Sequence, residues 1–353
     1  MTAAPHPVVT RLGEDFLTQT YGRTYRYLPG DAKSLPGLPT WDDLNDTLAH
    51  HQRLTYGTTL TIESFDELHP GTQDLADSLE ATLRTRIRVD LHASCTATAT
   101  HPRWDAHDTV VIQAGGMKRW KIYRPTLNHP TARDTEVPPP WEPTATHLLT
   151  PGDLLYLPRG WWHAHPTPPE DGQSLHLTCA ITPTTGADLI TWITELPEEL
   201  LRKDLPSFGT PQEKQRTVDG LRELLTNALT DGTLIDRYLQ HQDAHAPVRP
   251  RPSHPYTTRI PATDPDLHAR LLTTRHTLGL TPDGKARLTA AGRTWTFAPA
   301  VLPLLELLTD RAEHRIKYLA RSTGLTRGQV AKVVEELMAG GIVAVRRHQA
   351  GVG

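Results

Sequence analysis

Between residues 87 and 182 the chain turns every few residues instead of coiling, and this limits the fold more than any other feature. Ile87-Arg88-Val89-Asp90-Leu91 alternates apolar and polar side chains, the period of a half-buried strand. Short apolar runs follow at 110–112, 120–123, 154–157 and 175–182, with Pro- and Gly-containing turns between them. Several short strands so punctuated predict a sandwich or a barrel. Two dense stretches stand out in the block. One is Arg103-Trp104-Asp105-Ala106-His107-Asp108, running on to Gln113-Ala114-Gly115-Gly116-Met117-Lys118-Arg119-Trp120. The other is Gly152-Asp153-Leu154-Leu155-Tyr156-Leu157-Pro158-Arg159-Gly160-Trp161-Trp162-His163. Residues 124–151 are proline-rich and predict a surface excursion near the mouth of the barrel.

The flanks read as helix. Thr40-Trp41-Asp42-Asp43 has the composition of a helix start, and Leu75, Leu79 and Leu83 form an apolar stripe behind Pro70. After Thr185 the period lengthens: Leu189, Trp192, Ile193 and Leu196, then Val218, Leu221, Leu225 and Leu229, have helical spacing up to about His245. Residues 246–265 read as a proline-rich linker. Beyond it, a hairpin around Gly292 precedes helices at 302–308 and 316–321. Gly324 stops the second of these, and Thr326 with Gln329 gives a capping-box start for a third. A closing strand at 342–345 completes the pattern of a winged helix. The expected divisions are 1–85, an N-terminal elaboration of the barrel; 86–185, the barrel core; 186–262, a helical segment and linker; and 263–353, the winged helix.

A net charge of −3 over 353 residues argues against nucleic acid and anionic membrane as partners. Two cysteines, Cys95 and Cys179, exclude a disulfide scaffold and suit a reducing cytosol. With no signal-like segment and no long apolar run, the expectation is a cytoplasmic protein.

A non-haem iron site commonly takes two imidazoles and a carboxylate on one face, leaving positions open for a co-substrate and oxygen. A His-x-Asp pair on one strand supplies two of these, because residues two apart point the same way. A histidine on a neighbouring strand supplies the third. Pro102-Arg103-Trp104-Asp105, Gln113 to Trp120, and Leu157-Pro158-Arg159-Gly160-Trp161-Trp162-His163 together resemble the cupin-like JmjC family of ribosomal oxygenases. These are Fe(II)- and 2-oxoglutarate-dependent protein hydroxylases. The order of barrel, helical segment and winged helix is also similar to theirs. The resemblance implies an α+β chain built on a double-stranded β-helix. It implies Asp105 and His163 as iron ligands, Lys118 as the cation for the far carboxylate of 2-oxoglutarate, and Ser174 or Thr178 as a hydroxyl partner to that carboxylate. It also implies a protein or peptide substrate, a homodimer formed through the helical segment, and a winged helix that serves structure.

One residue departs from the pattern. Arg103 stands where the first ligand histidine belongs, and a guanidinium has no lone pair to offer a metal. Three outcomes are open. Arg103 folds onto Asp105 and replaces the metal, leaving a metal-free pseudo-oxygenase that binds a peptide or protein. Arg103 swings away and His107, or His101 by a bent approach, completes the ligand set. Or Asp105 and His163 hold iron with water or substrate in the third place. A regulator with a cupin sensor and a DNA-binding winged helix is a further class, for which Arg321, Arg327, Lys332, Arg346 and Arg347 would have to meet phosphate. Glu335 and Glu336 on the same helix oppose it. His165 and His176 read as lining residues, Asp153 as a turn residue, and the Trp161-Trp162 pair as either a cleft wall or a packed aromatic turn.

Overall fold

In a computed structural model of the chain, the described residues are 5–50, 59–94, 101–134, 138–166, 172–249 and 267–347. Cys95 and most of the proline-rich linker lie outside them. The first half contributes strands β1 (Arg26–Leu28), β2 (Leu60–Ile62), β3 (Ile87–Ser94), β4 (Asp108–Gly116), β5 (Lys118–Tyr123), β6 (Ala145–Leu149), β7 (Leu154–Leu157), β8 (Trp162–Ala164) and β9 (Ser174–Ile181). Six of them form one antiparallel sheet in the order β1-β7-β4-β9-β3-β2, and three form a second in the order β6-β5-β8.

The register explains why alternation matters here. Leu91 and Ile112 both pair with Leu177, and Val89 and Val110 both pair with Cys179. Partners opposite one another share a face. This apolar parity is buried beneath α1 (Pro7–Leu12) and α3 (Pro70–Leu83), whose Leu75 and Leu79 join the same core. Full burial of such a leucine contributes roughly 2–3 kcal/mol. Helix α2 (Trp41–His50) adds Leu44 to the same layer. The other parity carries His92, Ser94, Gln113, Ser174, His176 and Thr178, with His92 and Gln113 both opposite His176. It faces the three-stranded sheet: Trp120 of β5 meets His176 of β9 edge-on at 5.8 Å, and Tyr27 of β1 stacks on His147 of β6 at 4.3 Å. Two sheets closed over a partly polar interior make a barrel. Its turn between β4 and β5 depends on glycine. Gly116 has φ +61°, and a Cβ there would fall 1.8 Å from the Gln173 carbonyl oxygen.

Three readings of the sequence change. The excursion at 124–151 contains β6, which pairs along β5 and belongs to the barrel wall. Arg103 to Asp105 is not a regular strand; only Arg103 pairs, through a single bridge to His163. The chain at 246–249 is not a plain linker either, because Arg249 is among the most buried side chains described.

Beyond the barrel run α4 (Gly186–Thr194), α5 (Glu199–Arg202), α6 (Pro211–Thr230) and α7 (Leu234–His245). Capping boxes at Thr185/Asp188 and Thr210/Glu213 start α4 and α6. The C-terminal part holds β10 (Leu267–Leu271), β11 (Thr277–Leu280), β12 (Ala286–Ala290), β13 (Arg293–Phe297), α8 (Leu302–Leu308), β14 (His314–Arg315), α9 (Ile316–Thr323), α10 (Arg327–Ala339) and β15 (Val343–Arg347) around its own core. Gly324, at φ +72°, ends α9, and Thr326 with Gln329 caps α10 as the spacing requires. This part is tied to α3 by Arg270 to Asp74 at 3.2 Å and by the Arg311 guanidinium donating to the Asp77 carbonyl at 3.1 Å. Among the described residues no helix is long and apolar enough to cross a membrane.

Candidate active site

The mouth of the barrel is set by one backbone pairing. The Arg103 N–H donates to the His163 carbonyl at 3.0 Å, and the His163 N–H donates to the Arg103 carbonyl at 2.7 Å. This is a hydrogen-bonded antiparallel pair, so both side chains leave on the same side. The His163 ring points inward, 4% exposed, with its centroid 5.8 Å from Trp120. Asp105, two residues after Arg103, brings Oδ2 to 3.6 Å from His163 Nε2. Position 103 therefore opens on the same interior as Asp105 and His163.

His163 is oriented from behind. Its Nδ1 lies 3.2 Å from the Trp161 carbonyl, which can only accept, so Nδ1 carries the proton and Nε2 presents a lone pair to Asp105. Burial holds this imidazole below its ordinary range; the Asp105 charge opposes that shift and the Arg103 charge adds to it. An acceptor thus faces an acceptor across 3.6 Å, too far for a hydrogen bond but within the span of two ligands each about 2.1 Å from one ion. Asp105 and His163 fit two positions of a metal centre. The residue paired with His163 beside them is Arg103, which has no lone pair to offer an ion. Among the described residues no further His, Cys, Asp or Glu joins the pair to make a group of three. His101 is exposed and His107 sits in the bend before β4, and neither is brought into such a group. The donors present fall short of a three-ligand centre. Arg103 is itself exposed and forms no ion pair with Asp105 among the described residues, so the structure does not show it folded onto that carboxylate.

Lys118 forms the floor. It starts β5 and shares the inward parity of Trp120 and Ile122. Its side chain is 0% exposed, and Nζ donates to Ser94 Oγ at 3.0 Å. Burial pushes its pKa down to about 8. Around it His92, His165 and His176 are held neutral. Burial is the main cause for each, reinforced by the charges of Lys118 and Arg103, and His92 is pushed down to about 4. The interior is a cationic chamber lined by uncharged imidazoles.

Of the two hydroxyls in question, Thr178 Oγ1 lies 2.9 Å from His92 Nε2, and Ser174 Oγ accepts from Gln113 Nε2 at 3.0 Å. The hydroxyl that meets Lys118 is Ser94, which the sequence did not single out. The signal was the continued alternation of β3 through His92 to Ser94. Three buried polar atoms in this chamber have no protein partner among the described residues: Trp120 Nε1, His176 Nδ1 and Gln113 Oε1. Buried polar atoms are nearly always satisfied, so three together mark space for a polar ligand or water.

Parity also separates the two tryptophans. Trp161 lies beside Tyr25 at 5.3 Å on the rim of the interior, whereas Trp162 packs outside against Tyr123 and donates its Nε1 to Thr126 at 2.9 Å. Asp153 is more than a turn residue: its carboxylate accepts from the Gly30 and Thr150 N–H groups at 2.7 and 2.8 Å and from the Tyr27 hydroxyl at 3.1 Å.

Residues 67–189 match the JmjC domain family. Ribosomal oxygenase 2 of Rattus norvegicus is 33% identical over 144 residues, covering 36% of this chain and 30% of that protein. The bifunctional lysine-specific demethylase and histidyl-hydroxylase NO66 of Drosophila persimilis is 42% identical over 82 residues, covering 22% of this chain and 11% of the relative. The chain thus spans less than a third of the length of these relatives. The ribosomal oxygenase YcfD of Escherichia coli superposes with a TM-score of 0.63 at 16% identity, covering 94% of this chain and 97% of that one. One of its solved forms holds cobalt and 2-oxoglutarate.

Proposed function

We propose that this chain is a relative of the JmjC ribosomal oxygenases, that its barrel binds 2-oxoglutarate, and that it serves the hydroxylation of a protein or peptide side chain. The observation that carries this is Lys118, buried on Ser94 at the floor of the chamber whose mouth holds Asp105 and His163. A buried ammonium with one neutral partner is poised for a carboxylate. Fe(II) and 2-oxoglutarate, when bound, would supply the oxidising chemistry. The chain's own part is to hold the co-substrate at Lys118, orient His163 through the Trp161 carbonyl, and exclude water. The substrate would enter past Tyr25 and Trp161. The second reading, a metal-free relative that binds a polypeptide, is favoured by Arg103 in the third ligand place. The separating experiment adds Fe(II) and 2-oxoglutarate to anaerobically purified protein, admits oxygen, and measures iron retained and succinate formed. Succinate above an iron-only background is expected from Arg103→His, which supplies the third donor, and far less of it from the wild type. No iron retention with no succinate from either protein would leave the metal-free reading.

The helical segment is read as a dimerisation element. Helix α6 has 20 residues and none of them buried. Val218 and Leu229 are 49% and 54% exposed, while Leu225 and Ala228 pack toward Trp192 and Ile193. A helix with apolar residues on both sides needs a second cover. Val218→Asp with Leu229→Asp is expected to convert a dimer to a monomer in sedimentation velocity. A wild type that stays monomeric at all concentrations would contradict the assignment. The C-terminal part is read as a winged helix with a structural role. The solvent side of α10 carries Arg327 and Lys332 beside Glu336, and Arg346 is paired with Glu313 at 2.6 Å, so carboxylates interrupt the basic side chains that would have to meet phosphate.

A further inference from the structure

We infer that Arg103 takes the charge role of a metal, making the barrel a metal-independent site for a small dicarboxylate held between Arg103 and Lys118. The inference rests on the 2-oxoglutarate reading of the chamber and goes beyond it in one respect: the first cation the ligand meets is part of the chain. Four observations converge. The bridge to His163 directs the Arg103 side chain to the inward side of the mouth, beside His163 and Asp105. Lys118 closes the opposite end, fully buried, with Ser94 Oγ as its hydrogen-bond acceptor. On the same inward-facing parity, Trp120 Nε1, His176 Nδ1 and Gln113 Oε1 are buried and without protein partners among the described residues. And the charge balance is one-sided. Arg103 and Lys118 both act on His92, His165 and His176, opposed at His92 by Asp105.

Two cations at the two ends of one chamber suit a ligand with a carboxylate at each end. The guanidinium fork matches a carboxylate in bidentate geometry and needs no metal to do so. The Lys118 ammonium and Ser94 hydroxyl would take the far carboxylate, and the unpaired indole N–H is free to donate to an oxygen between. In a three-ligand centre the near end of such a ligand is held by the ion. Here the position that would help hold the ion carries the positive charge itself.

The test is calorimetric titration of 2-oxoglutarate, and of succinate for comparison, into EDTA-treated protein, repeated with Co(II) added. One dicarboxylate per chain is expected to bind without metal, with little gain from Co(II). Arg103→Ala is expected to weaken the metal-free binding at least 30-fold, and Arg103→Lys to recover part of it. Circular dichroism and the melting temperature show that each variant is folded; Arg103 is exposed, so both are expected to match wild type. Binding that appears only with Co(II), or Arg103→Ala binding as tightly as wild type without metal, would overturn the inference and leave the oxygenase reading standing. No dicarboxylate binding with or without metal would overturn that reading as well.

Discussion

Replacing Arg249 with alanine is expected to lower the stability of the chain by about 3–5 kcal/mol, the cost of breaking a buried ion pair from one side. Arg249 is 2% exposed and answers three carboxylates at once. Nε donates to Asp66 at 2.5 Å, Nη1 to Asp77 at 2.6 Å, and Nη2 to Glu80 at 2.9 Å and to the Ile87 carbonyl at 2.7 Å. The same carboxylates also organise the barrel: Asp66 accepts from the Val89 N–H and Glu80 from the Ile87 N–H, at the start of β3. Removing the guanidinium leaves buried negative charges without their shared cation beside the edge of the main sheet. Thermal melting should show a fall of roughly 10 °C. Arg249→Lys should recover only a part, because an ammonium cannot present four donors in a fixed plane. An unchanged melting temperature in Arg249→Ala would mean that the cluster is not a stabilising lock.

The second large effect concerns Lys118. Lys118→Met is expected to weaken 2-oxoglutarate binding by at least 100-fold, about 3 kcal/mol for losing one partner of a buried charged hydrogen bond. The same variant should stabilise the ligand-free chain. Lys118 has an ordinary pKa of 10.5 and about 8 in the fold. Below pH 8 it is charged in both states, and the burial cost is fully present. Between about 8 and 10.5 the unfolded chain holds more protons, so the stability of the wild type rises with pH. Lys118→Met should remove that rise and add about 2 kcal/mol at neutral pH. Ligand affinity should run the other way, falling as pH rises above about 8 and the ammonium is lost. Denaturant titrations at pH 7 and 10 read the first effect, and calorimetry over the same range reads the second. Unchanged affinity in Lys118→Met would remove this residue from the site.

How much of this was legible depended on whether a residue's neighbours in sequence are also its neighbours in space. The alternation of Ile87 to Leu91 and the short apolar runs gave the barrel strands, because period 2 is written locally. The strand β6 was hidden in a proline-rich stretch, and its pairing with β5 is a tertiary fact. Lys118 stood out through its motif, but its partner Ser94 ends a strand 24 residues away and looks like any polar strand residue. Arg249, between prolines, reads as a solvated linker residue; only the fold carries it to carboxylates more than 160 residues distant. The meeting of Arg103 with His163 was expected from resemblance, and the bridge between them places both on one inward side. The spacing that suggested a His-x-Asp strand was misleading in one respect: Asp105 reaches His163 from an irregular segment.

The central claim is that Asp105 and His163 are two-thirds of a metal centre whose third place is held by Arg103. Its most direct measurement is titration of Co(II) into Arg103→His under anaerobic conditions, with the visible ligand-field bands and the stoichiometry as readouts. The account expects one tightly held ion per chain in Arg103→His, with affinity at least tenfold above wild type and lost again when Asp105→Ala or His163→Ala is added. Cobalt affinity in Arg103→His no higher than in wild type, or unaffected by those second changes, would contradict it.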